Sequence, residues 1–126
     1  MRKLKLFILP EEFVVWQLPP DAPVPEINYS GIWSVTRTDD ELSVVSIVES
    51  VPEDVQYEKG WKCIGVKGQL EFELTGILAF LSTPLAQAGI SVFSISTFNT
   101  DYLLVKTFQL ELARTILEQA GNKFID

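Results

Sequence analysis

The chain contains no histidine and only one cysteine, Cys63. Without histidine, Ser-His-Asp and Cys-His catalysis are excluded. Most zinc sites go as well, because one thiol cannot anchor a tetrahedral ion. A lone cysteine cannot close an internal disulfide. Set beside Trp61, Ile64 and Val66, Cys63 reads as a small buried hydrophobe. Positive charge is also scarce: 10 Lys+Arg stand against 17 Asp+Glu, a net of -7. The only basic cluster is Arg2, Lys3 and Lys5. That leaves nothing to neutralise a run of phosphates, so neither nucleic acid nor an anionic membrane surface is an expected partner. No apolar run approaches the roughly 18–20 residues that span a bilayer. The first apolar run ends at Pro10-Glu11-Glu12, too early for a secretory signal, and a cytoplasmic location is expected. There is no phosphate loop, no G-x-S-x-G and no metal-ligand spacing. The expectation is a protein that is not an enzyme and carries no cofactor or metal.

What is present is an ordinary globular composition, 47% hydrophobic over 126 residues. That length suits one domain or two half-size units sharing a core. Residues 1–60 hold 5 Lys+Arg and 11 Asp+Glu, whereas 61–126 hold 5 and 6. The acidic excess of the first half reads most simply as solvated loop; the alternative is a face turned to a partner. We divide the chain at this point, into a strand-rich half over 1–60 and a second unit over 61–126.

In the first half, 3–9 and 13–18 read as strands joined by a turn at Pro10-Glu11-Glu12. The PPDAPVP stretch at 19–25 is extended loop and can hold no helix. Strands are expected at 32–37 and 42–49, around a turn at Thr38-Asp39-Asp40-Glu41. Residues 51–60 read as polar loop. The second half changes character. A strand at 61–70 leads to a helix with Thr75 at the N-cap position. Ile77, Leu81, Leu85 and Ala88 recur on one face, Pro84 should bend the helix, and Gly89 stops it. A strand at 90–98, a turn at 99–101 and a strand at 102–106 follow. A second helix begins at Thr107, with Leu110, Ala113, Leu117 and Ala120 inward and Gly121 as its cap. The last residues allow one brief strand. The order β-α-β-β-α-β predicts an α+β, ferredoxin-like unit with both helices on one side of an antiparallel sheet.

The segments TGILA at 75–79, PLAQAGI at 84–90 and ISTFNTDYLLV at 95–105 resemble the ACT domains of the CASTOR type. Upstream, SVTRTDDELS at 34–43 is similar to the ACT-like N-terminal half of that family. The resemblance implies an ACT fold for 61–126 and a degenerate ACT-like half before it, in which no amphipathic helix is legible. Family members are regulatory binding proteins, and the CASTOR proteins of animals sense arginine in the cytosol. The resemblance therefore implies a homodimer that binds a small molecule, an amino acid above all, between ACT units.

A free amino acid needs amide donors for its carboxylate and acceptors for its ammonium. A helix N-terminus can supply the donors, which points to Thr75, Gly76 and Ile77. Gly76 would also let a ligand approach the backbone. The end of the next strand offers carbonyls at Thr97, Phe98, Asn99 and Thr100, and a carboxylate at Asp101. The resemblance adds Ser91 and Val92 at a subunit contact. Each has a plainer role: Thr75 as a helix cap, Asn99 and Asp101 as turn residues, Phe98 as sheet packing. The competing function is a ligand-independent interaction module acting on a regulated protein partner.

Overall fold

The turn expected at Pro10-Glu11-Glu12 does not form. In the computed structural model, which describes residues 3–68 and 76–125, Lys5–Leu18 is one unbroken strand, β1. Proline holds φ near the extended region, and its missing N–H matters only where a ladder needs a donor. On one flank of β1, residues 13–18 pair with one strand and residues 5–6 with another. Pro10 falls between the reach of the two. Its carbonyl accepts from Lys62 Nζ at 2.6 Å.

The remaining elements are β2 (Ser34–Arg37), β3 (Leu42–Ile47), β4 (Gln56–Val66), α1 (Ile77–Gln87), β5 (Val92–Ser96), β6 (Asp101–Lys106), α2 (Leu110–Gln119) and β7 (Lys123–Phe124). Single 3-10 turns occupy Val48–Ser50 and Thr107–Gln109, so α2 starts later than expected. The loop expected over 51–60 ends at Gln56. Gln56, Tyr57, Glu58 and Lys59 are all exposed. No burial pattern marks them as strand; pairing of β4 with β1 does.

The chain divides into two compact units, 1–10 with 62–126, and 11–61. In the first, the strand order is β7-β1-β4-β6-β5. The β-α-β-β-α-β order of β4 to β7 is the ferredoxin-like layout, with the start of β1 inserted between β4 and β7. Leu6, Ile64, Val66, Leu103 and Val105 face one way from alternate strand positions. They share a core with Ile77, Leu81 and Leu85 of α1 and with Ala113 and Leu117 of α2. Both helices therefore cover one sheet face. Each helix stops at a glycine in the left-handed region, Gly89 (φ 77) and Gly121 (φ 105). The amides after them bond back, Ile90 N to Leu85 O at 3.0 Å and Asn122 N to Leu117 O at 3.1 Å, closing the paired caps that glycine permits. This termination turns Ala88 outward, against expectation. Pro84 is accommodated within an uninterrupted α1.

The second unit is the sheet β2-β3-β1-β4 and, among the described residues, contains no α-helix. The β2–β3 turn is held by Thr38, whose Oγ1 accepts from the amides of Asp40 and Glu41 at 3.1 and 3.2 Å. Val14, Trp16 and Val44 form its core, with Ile27, Val35, Val51 and Val55 packed on them. The indole N–H of Trp16 donates to Ser46 Oγ at 2.9 Å, which satisfies a polar group that is otherwise sealed from water. Arg37 donates to the carbonyls of Pro20 and Ala22 and so ties down the proline-rich loop. Among the described residues no helix is long and apolar enough to cross a membrane.

Candidate functional site

The expected ligand-binding residues belong to the 1–10/62–126 unit. Thr75 lies outside the described residues. Gly76 occupies the N-cap position of α1 at φ 78, with no side-chain cap. A Cβ built there meets nothing within 4 Å. Among the described residues nothing beyond its chain neighbours crowds that position, and the left-handed conformation is one that glycine adopts without steric cost. Ile77, the next residue, is not free for a ligand's side chain: it is buried in the core. Its contribution can only be its backbone.

The other segment is the turn between β5 and β6. Thr97 N donates to Thr100 O at 2.8 Å, and Thr100 N donates to Thr97 Oγ1 at 3.2 Å. Phe98 and Asn99 form the exposed tip. Ser96 and Asp101 are the first cross-strand pair, and Ser96 Oγ donates to Asp101 Oδ1 at 2.5 Å. One acceptor of the carboxylate is thus engaged by its neighbour, which fixes the carboxylate's orientation. Ser91, just before β5, is exposed; Val92 packs against the core.

Strand directions bring the two segments to one end of this unit. Thr100 Oγ1 donates to Val66 O at 3.1 Å, so β6 begins where β4 ends and the two run antiparallel. β5 is antiparallel to β6. It follows that β4 and β5 are parallel, and that α1, which links them, runs back against both. The N-terminus of α1 and the 97–100 turn thus lie beyond the same strand ends. The unpaired amides of a helix N-terminus favour an anionic group, here beside the acceptors of the strand-end turn.

Among the described residues, three shallow cavities lie in the 11–61 unit, and none of these takes a residue from 76–77 or 97–101. The largest, about 350 Å³, is lined by Gln17, Glu41, Ser43 and Tyr57 among others. In the sequence alone, strand and turn chemistry accounts for these positions. Counting charge over the compact unit rather than over 1–60 supplies a signal. Residues 11–61 hold eleven Asp+Glu against two Lys+Arg, net -9, while the rest of the chain is net +2. Among the described residues no group of three His, Cys, Asp or Glu is placed to hold a metal ion. Burial raises the Cys63 thiol from 9.0 to about 12, leaving it a poor nucleophile.

Residues 56–119 match the ACT domain. The chain belongs to the ACT-domain family. A further family, described as an N-terminal domain, matches 11–54, within the second compact unit. An Agrobacterium tumefaciens protein of known crystal structure is 36% identical to this ACT protein. That match covers 99% of this chain and 94% of the other, with a TM-score of 0.92. The human cytosolic arginine sensor for mTORC1 subunit 1 is 48% identical over 46 residues, which are 36% of this chain and 14% of the sensor. The match thus spans only a small part of that relative's length. The regulatory subunit of aspartate kinase from Thermus flavus shares the fold, with a TM-score of 0.66 at 6% identity over 94% of this chain and 99% of the other.

Proposed function

We propose that the protein is a cytoplasmic, non-catalytic regulator that binds a free amino acid at this strand-end site and works as a homodimer. One observation carries the reading: the left-handed backbone at Gly76 and the acceptor-rich turn at 97–100, with Asp101 just after it, lie beyond the same ends of β4 and β5. Amides at the start of α1 would take the ligand carboxylate. Carbonyls of the turn and the fixed carboxylate of Asp101 would take its ammonium. Ser91 and Val92 would lie at the contact with a second copy, whose ACT unit completes the site. Occupancy would favour one arrangement of the pair over another, and a regulated protein partner would read that difference.

Similarity to an arginine sensor makes arginine the first ligand to try. A thermal-shift screen of the common amino acids on the purified chain tests the proposal. At ten times its Kd a true ligand adds about 1.4 kcal/mol of stability by mass action. Asp101→Asn, which keeps the shape and removes the charge, should weaken that response. A melting temperature indifferent to every amino acid would sink the reading.

A further inference from the structure

We propose that the 11–61 unit carries a docking groove for a basic polypeptide segment, separate from the amino-acid site. The groove is about 280 Å³ and is lined by Val14, Val48, Val51, Pro52, Val55 and Tyr57. It is the apolar one of the three cavities. Its floor is Val14, Val51 and Val55, which also belong to the small core of that unit. Two lining residues stand out into solvent, Val48 at 43% exposure and Tyr57 at 57%. Covering exposed apolar surface of this kind is favourable. The volume is at the low end of the usual range of roughly 300–1,000 Å³ for ligand pockets and accommodates one bulky apolar side chain.

Charge selects the occupant. Glu53 and Asp54 lie on the groove lining, with Lys59 as its one cation. The unit around it is net -9. A second copy would bring the same acidic surface against this one, and like-charge apposition opposes association. An anionic membrane or a nucleic acid is repelled in the same way. A segment rich in Lys or Arg with one aromatic or large aliphatic side chain satisfies both features: the apolar residue fills the groove and the cations meet the acidic surround.

The probe is a short lysine-rich peptide with one central phenylalanine, labelled for fluorescence anisotropy and added to the full chain. Two control peptides replace the phenylalanine by alanine or the lysines by glutamate. The proposal expects only the parent peptide to bind well, with affinity falling as salt rises. NMR shifts should gather on Val48, Val51 and Val55. Tyr57→Ala and Glu53→Lys should each weaken binding about tenfold, as loss of an anchor contact does. Both positions are exposed, and unchanged circular dichroism checks the fold. Equal binding of the alanine control would reduce the effect to bulk charge and overturn the groove. So would shifts mapping elsewhere, or sedimentation showing self-association through Val48 and Tyr57. The amino-acid thermal shift is read separately, so either proposal can fail while the other stands.

Discussion

Thr100 Oγ1 donates a hydrogen bond to the carbonyl oxygen of Val66 at 3.1 Å. The bond joins the β5–β6 turn to the last residue of β4, the strand that leads into α1. Thr100 is half-buried, and its own amide is held by Thr97. Replacing Thr100 by valine keeps the shape and removes the donor. The expected loss is about 1 kcal/mol in chemical denaturation. Thr100→Ser should recover most of it. The valine variant should also blunt the amino-acid thermal response, because the turn loses its tie to the strand end.

Gly76 offers a separate handle on the same region. Its φ of 78 is strained for any residue with a Cβ, yet among the described residues nothing beyond its chain neighbours crowds that position. Gly76→Ala should therefore cost about 1 kcal/mol from backbone conformation alone. Asn tolerates the left-handed region better, so Gly76→Asn should cost less. Equal and negligible losses in the two variants would mean that the helix start shifts to another conformation.

In the other unit, Ser46 is fully buried and accepts from the indole of Trp16 while donating to Ile47 O at 3.1 Å. Ser46→Ala strands the indole N–H in the core. A loss of about 1–3 kcal/mol is expected from urea unfolding, the usual penalty of an unsatisfied buried donor. Combining it with Trp16→Phe removes the stranded donor, so the two losses should be less than additive.

Cys63 makes a pH prediction. Its thiol is raised to about 12 in the folded chain, from 9.0. Between those values the unfolded chain has released the proton while the folded chain still holds it. Stability therefore falls as pH rises through that window and does not change on this account below it. The difference in unfolding free energy between wild type and Cys63→Ala should be flat to about pH 8 and shift against wild type above it. At pH 8 a thiol reagent should label the native chain slowly and the denatured chain at once.

Much of this architecture is legible in the residues themselves. The helices announce themselves by the spacing of Leu81 and Leu85 and of Ala113 and Leu117, and by Gly89 and Gly121 at their ends. Cys63 reads as buried from its neighbours alone. All are local properties, set within a turn or two of chain. The turn expected at 99–101 is legible for the same reason, since Thr, Asn and Asp bond to their own nearby backbone; it spans 97–100, because the strand expected over 90–98 ends at Ser96.

Tertiary structure decided what depends on distant partners. Pro10 looks like a break because breaking is its usual local effect; it sits inside β1 because neither flanking strand needs its missing donor. Gln56 to Lys59 look like loop because they bury nothing; they are strand because β1 pairs with them. The acidic excess, net -6 over 1–60, sharpens to -9 over 11–61 when the chain is divided by contact, because Arg2, Lys3 and Lys5 fall in the other unit. The meeting of Gly76 with the 97–100 turn at one end of a unit rests on the order of strands in the sheet. That order is long-range pairing, which no stretch of neighbouring residues contains.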